Sequence, residues 1–148
     1  MILYLDASAL VKRYIAEAGS PQVAASIAAA ELAGTSIITR AEVAAALAKA
    51  VRVGTLARDE ALACLQAFRN EWTDLVRLQL SELTVSRADA FAWEYGLRGY
   101  DAVHLATASL WQDAMGERVT FVAFDRKLWE AAARAGLMVA PADGGESD

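Results

Sequence analysis

The stretch Met1-Ile2-Leu3-Tyr4-Leu5-Asp6-Ala7-Ser8-Ala9-Leu10-Val11-Lys12 decides how this chain is read. The apolar run Ile2–Leu5 has the length of a buried strand, and Asp6 closes it. From Ser8 the apolar residues take helical spacing, with Leu10, Val11, Tyr14 and Ile15 on one face. A helix is therefore expected from about Ser8 to Ala18. The order strand, acid, helix recurs near the other end. There Val119-Thr120-Phe121-Val122-Ala123-Phe124 is closed by Asp125, and a helix is expected from about Arg126 to Ala135. Repetition of this unit is the signature of an α/β domain with a mostly parallel sheet.

The middle of the chain follows the same alternation. Gly19-Ser20-Pro21 breaks the first helix, and Pro21 suits the first turn of a second that ends near Gly34. A strand is expected at Thr35–Thr39, centred on Ile37 and Ile38, then a helix from about Ala41 to Val51. Arg58 to Leu75 reads as a long helix, and Val76–Leu80 as a short strand. Ser86 is placed to cap a helix through Phe91, Ala92 and Tyr95. Another helix runs from Asp101 to about Ala114, and Leu137–Ala140 is a last strand. The expectation is one α/β domain over residues 1–140, a mostly parallel central sheet flanked by helices, with residues 141–148 as a polar, disordered tail.

Composition sets bounds on function. The 148 residues suit one domain, and the net charge of −5 argues against a broad, non-specific grip on nucleic acid. The hydrophobic fraction of 56% and mean hydropathy of +0.26 are high, largely through alanine in helices. No apolar stretch reaches the roughly 20 residues that cross a bilayer. The amino terminus opens on a strand, without a basic region and apolar block, so no signal peptide is expected. Cys64 is the single cysteine, so it forms no internal disulfide and reads as a buried, inert thiol in a helix. These features point to the cytoplasm.

Two further acids complete a pattern. Glu42 and Asp101 each stand at the start of an apolar helical stretch, Arg40-Ala41-Glu42-Val43 and Tyr100-Asp101-Ala102-Val103. In an alternating sheet the carboxyl ends of strands and the amino ends of helices meet on one edge. Each acid taken singly suits a helix cap, and Thr39-Arg40-Ala41-Glu42 has the form of a capping box. Taken together, Asp6, Glu42, Asp101 and Asp125 form a set that would repel itself without a cation. Hard oxygen ligands suit magnesium or manganese. His104, the only histidine, lies three residues after Asp101 on the same face and has no imidazole partner for a zinc site, so it reads as a core or supporting residue. Ser8 is either a helix cap or a contact to a metal-bound water or phosphate. Lys12, Arg13, Arg40, Arg98, Arg126 and Lys127 stand beside the acids; ordinarily solvated surface, they also suit phosphate contacts. Trp72, Trp93, Trp111 and Trp129 lie at helical spacing and read as core or subunit interface.

Leu5-Asp6-Ala7-Ser8-Ala9-Leu10-Val11-Lys12, Glu42, Tyr100-Asp101-Ala102-Val103-His104-Leu105-Ala106 and Phe124-Asp125-Arg126-Lys127-Leu128 together resemble a PIN domain. More closely, they resemble the VapC-type toxin ribonucleases of type II toxin–antitoxin modules, over residues 1–140. The resemblance implies a homodimer and Mg²⁺- or Mn²⁺-dependent cleavage of RNA. It also implies a cognate antitoxin whose carboxyl-terminal segment wraps the toxin and obstructs the acidic pocket. Carried over by position, Asp6, Glu42, Asp101 and Asp125 are the metal-binding, catalytic acids. Ser8, Arg13, Arg98 and Arg126 are the expected substrate contacts. Many members have Ser or Thr two residues before the last aspartate, where this chain has Ala123.

Other α/β readings fit less well. A phosphatase of the haloacid dehalogenase type needs a second aspartate where Ser8 stands. A receiver domain needs a phospho-acceptor aspartate at a middle strand, whereas Thr35–Thr39 leads to Glu42. Two alternatives stay open: a PIN-fold nuclease with a housekeeping role in RNA processing, and a non-catalytic scaffold whose acids only cap helices.

Overall fold

The computed structural model describes residues 1–144. Among them the chain alternates as expected: β1 (Ile2–Leu5), α1 (Ala7–Val11), α2 (Ser20–Ala29), β2 (Leu32–Ser36), α3 (Thr39–Arg52), α4 (Arg58–Glu71), β3 (Val76–Leu78), α5 (Glu82–Tyr95), α6 (Gly99–Met115), β4 (Val119–Val122), α7 (Arg126–Arg134) and β5 (Met138–Ala140). The strands form one parallel sheet in the order β3-β2-β1-β4-β5. Chain order runs outward from β1 in one direction and from β4 in the other. The switch point, where such sheets bind ligands, is therefore the crevice beyond the carboxyl ends of β1 and β4.

The alternation of strand side chains builds two cores. Ile2 and Tyr4 point to one face and pack with Leu105, Trp111, Phe121 and Leu128 under α5, α6 and α7. Leu3 and Leu5 point to the other and pack with Leu10, Val43, Leu47 and Phe68 under α1, α3 and α4. β1 is thus buried on both faces, which explains its continuous apolar run. Asp6 follows Tyr4 by two residues and continues on its face.

Several expected boundaries move. The first helix ends at Val11 rather than Ala18, and the residues after it form turns. The second ends at Ala29, leaving room for β2 to start at Leu32, three residues earlier than expected. β2 carries Thr35 and Ser36 as buried polar residues; the Thr35 hydroxyl bonds the Leu5 carbonyl and the Thr39 hydroxyl at 2.7 Å each. Those polar contacts, invisible to an apolar-run reading, fix the strand. The cap of α5 is Ser81, not Ser86: Ser81 and Thr84 form a reciprocal capping box, and Ser86 lies inside the helix. The capping box expected at Thr39 and Glu42 does not form, because Thr39 is already inside α3 and its hydroxyl is engaged by Thr35.

Trp72 and Trp111 are core residues, whereas Trp93 is 92% exposed. Trp129 is half-buried and donates to the Pro141 carbonyl at 2.8 Å. Residues 141–144, expected in the tail, make a turn closed by the Gly144 amide on the Pro141 carbonyl. Residues 145–148 of that tail lie outside the described residues. Cys64 is half-buried rather than buried, and its thiol donates to the Tyr14 carbonyl. No helix among the described residues is long and apolar enough to cross a membrane.

Candidate active site

The four acids reach the switch-point crevice from four elements. Asp6 and Asp125 arrive as helix caps, Asp6 directly after β1 and Asp125 three residues after β4: Asp6 Oδ1 accepts from the Ala9 amide at 2.8 Å, and Asp125 Oδ1 from the Leu128 amide at 2.9 Å. A cap uses one lone pair of a carboxylate, so capping and ligation are compatible. Glu42 and Asp101 sit in the first turns of α3 and α6 without capping them. All four line one cleft of about 240 Å³ together with Ala7, Ser8, Arg98, Tyr100 and His104. Helix amino termini around this cleft add positive potential where anionic oxygens gather.

Each acid has a different set of partners. Asp6 is buried, and the Ser8 hydroxyl sits 3.0 and 3.1 Å from its two oxygens. Burial raises the Asp6 carboxyl above its ordinary value. The Ala9 amide and Ser8 draw it back down, as would a protonated His104, and Asp101 adds to the rise. Asp101 is likewise raised by burial and by Asp125, against the pull of Arg98. The Arg98 guanidinium bonds Asp101 at 3.1 Å and reaches within 4.0 Å of Asp125. Glu42 takes a 2.8 Å hydrogen bond from His104 Nε2, and His104 Nδ1 lies 2.7 Å from the Tyr4 hydroxyl.

Of the basic residues expected at the substrate, Arg98 lines the cleft. Arg13 pairs with Glu71 at 2.7 Å, beside Tyr14, and is not among the lining residues. Arg126 lies over the Trp129 ring, also outside the lining. Sequence reasoning missed the Tyr4–His104–Glu42 chain. Its signals were present: Tyr4 shares a face with Asp6 at a spacing of two, and His104 shares one with Asp101 at a spacing of three.

The donor set suits a hard divalent cation, being carboxylate oxygens with a buried, raised carboxyl at its centre. Among the described residues no three His, Cys, Asp or Glu side chains are gathered into an arrangement that would hold an ion as they stand. Arg98 pairs with Asp101 and approaches Asp125, and Glu42 Oε1 is engaged by His104 Nε2. The elements bring the four carboxylates to one cleft, where Arg98 and His104 engage three of them.

The chain belongs to the PIN-domain family, whose model matches residues 3–135. It is 36% identical over 142 residues to Ribonuclease VapC45 of Mycobacterium tuberculosis (strain CDC 1551 / Oshkosh), covering 95% of this chain and 96% of that protein. Its fold is similar to that of a toxin-antitoxin complex from Klebsiella pneumoniae, with a TM-score of 0.63 and 20% identity over 99% of this chain and 97% of that one. PAE2754 from Pyrobaculum aerophilum has the same fold, with a TM-score of 0.65 and 22% identity over 94% and 89% of the respective chains.

Proposed function

We propose that this chain is a divalent-cation-dependent endoribonuclease, the toxin of a toxin–antitoxin pair, acting in the cytoplasm. The observation that carries the reading is the convergence of Asp6, Glu42, Asp101 and Asp125 on one cleft at the switch point of the sheet. Relatives bearing the name ribonuclease, at 36% identity over nearly the full length, supply the substrate class. A solved relative is a toxin-antitoxin complex, which supports an antitoxin partner.

Asp6 and Asp101 are the first-choice ligands for Mg²⁺ or Mn²⁺, with Glu42 and Asp125 completing or orienting the set. Bound there, the cation would supply Lewis-acid activation of water and neutralise charge building on the scissile phosphate. The residues contribute the rest. The caps of α1 and α7 fix where Asp6 and Asp125 stand. Ser8 holds the Asp6 oxygens in orientation through its hydroxyl. Arg98, 65% exposed, pairs with Asp101 at the cleft and can exchange that carboxylate for an RNA phosphate. A homodimer belongs to the same proposal, and the exposed Trp93 supports a surface that a second copy covers.

The test is cleavage of a structured RNA pool by purified protein, with and without chelator. Asp6→Asn and Asp101→Asn are expected to lower cleavage by more than about 100-fold, the upper end for loss of a merely supporting partner, while melting cooperatively. Full activity in chelator, or wild-type rates in both variants, would remove the metal-nuclease assignment. Manganese at roughly 100 times its dissociation constant should also stabilise the fold by about 2.7 kcal/mol, which the scaffold alternative does not predict.

A further inference from the structure

Three of the four acids ride on elements that a single buried hydrogen-bond chain ties together. Tyr4 is on β1, two residues before Asp6. His104 is on α6, three residues after Asp101. Glu42 is on α3. The Tyr4 hydroxyl and His104 Nδ1 are 2.7 Å apart, and His104 Nε2 and Glu42 Oε1 are 2.8 Å apart. Tyr4 is fully buried and stacked on Phe121 with ring centroids 5.3 Å apart, and His104 is 1% exposed. Neither ring can turn away without opening the core.

We infer that His104 is the positioning residue for Glu42: Tyr4 donates to Nδ1, which fixes the neutral imidazole as the Nε2–H tautomer, and Nε2–H then holds the Glu42 carboxylate facing Asp6 and Asp101. The inference rests on the metal-nuclease reading for its consequence, but not for its geometry. An ionised Glu42 only accepts hydrogen bonds, so the ring nitrogen facing it carries the proton. The other nitrogen of the neutral ring is then an acceptor, and the Tyr4 hydroxyl is the donor in reach. A glutamate on a helix surface has three freely rotating bonds, and left alone it would sample many orientations. Anchored from behind, it offers its second oxygen to the cleft in one of them. The arrangement is the carboxylate counterpart of the outer partners that orient metal-bound histidines, whose loss costs about 10- to 100-fold in metal affinity or activity.

The geometry predicts an unusual ranking of substitutions. The amide nitrogen of glutamine can take the place of histidine Nε2, whereas that of asparagine reaches only the Nδ1 position. His104→Gln should therefore keep Mn²⁺ affinity and cleavage within a few-fold of wild type. His104→Asn and His104→Leu should each weaken Mn²⁺ binding by about 10- to 100-fold. In a Glu42→Gln background the same His104 substitutions should add little. Equal behaviour of the Gln and Asn variants, or full additivity with Glu42→Gln, would overturn the inference.

A second measurement stands clear of the metal. Because His104 is the only histidine, nitrogen-15 labelling of histidine gives the spectrum of one imidazole in the full chain. The expected result is the Nε2–H tautomer, with a signal that moves in Glu42→Gln and again in Tyr4→Phe. An Nδ1–H tautomer, or a signal indifferent to Glu42, would sink the inference whatever the variants do to stability. If the spectrum is as expected but wild-type protein binds no Mn²⁺, the nuclease reading fails and the positioning chain survives.

Discussion

Arg98 is the residue on which opposing demands meet. Its guanidinium neutralises Asp101 and approaches Asp125, which is the task a bound cation would take over. It is also exposed enough to meet a phosphate. Arg98→Ala removes the competitor, so Mn²⁺ should bind more tightly. Exposed pairs are worth about 0.2–1 kcal/mol, which limits the gain to about fivefold. RNA should bind more weakly in the same variant, raising KM for cleavage. Calorimetric titration with Mn²⁺ and cleavage kinetics on one RNA separate the two effects, and weaker Mn²⁺ binding would place Arg98 among the supports of the site instead. Asp6 makes a prediction of opposite character. Burial raises its carboxyl, so ionisation at neutral pH works against the metal-free fold. Stability from a raised group is full below the ordinary aspartate range near 3.9 and is lost as pH rises through the folded value. Asp6→Asn keeps an oxygen for the Ala9 amide and carries no charge. In chelator at pH 7 it should therefore melt higher than wild type, and the gap should close as the pH is lowered through the raised folded value. A gap that widens on acidification would contradict this assignment of cause.

At the scale of elements, Gly34 shows how closely the layers are fitted. A methyl group there would meet the rim of the Trp111 ring at 2.7 Å and the Val76 carbonyl at 3.2 Å. Trp111 is buried on α6, so Gly34 is what lets β2 lie against that helix. Gly34→Ala should cost about 1–3 kcal/mol by overpacking. At about 2–4 °C per kcal/mol for a domain of this size, a thermal melt will show it. Cleavage per folded molecule should be unchanged, since no cleft residue moves. Such fitting also marks where sequence reading stops. β1, β4 and the acids after them were legible because a buried strand is a continuous apolar run and a strand-end acid interrupts it sharply. β2 was misplaced because the apolar pair Ile37 and Ile38 drew the expected centre past its end, whereas the strand runs Leu32–Ser36 and its buried end is the polar pair Thr35 and Ser36. Ser86 was read as the cap of α5, but Ser81 can cap as well, and it is Thr84 reaching back to Ser81 that sets the helix start. The Glu42 capping box failed for a related reason: a local pattern competes with partners 62 residues away, and His104 won. The convergence of the acids was readable from alternation alone, whereas their individual partners were set by rings and hydroxyls that only the packed layers bring together.

The molecule as a whole carries a net charge of −5 and concentrates four of its acids in one cleft whose resident cation, Arg98, comes from the chain itself. A polyanionic RNA and an acidic protein repel at long range, so productive binding depends on cations that neutralise the cleft. The same field favours a basic peptide. An antitoxin segment that places an arginine in the cleft would pair its planar fork with Asp101 or Asp6 and displace both cation and RNA at once. Inhibition and metal binding are then mutually exclusive, and by linkage each weakens the other by the same factor. Co-expression with the antitoxin that the proposed function requires, followed by copurification, would provide the complex. Raising Mg²⁺ or Mn²⁺ should restore RNA cleavage to it in proportion to cation occupancy, and Asp6→Asn with Asp101→Asn together should weaken the complex. The neutralised double variant should also make complex formation indifferent to divalent cations, since the shared site is gone. A complex that holds equally well in chelator and in excess cation, with both aspartates intact, would show that the antitoxin inhibits from outside the acidic cleft.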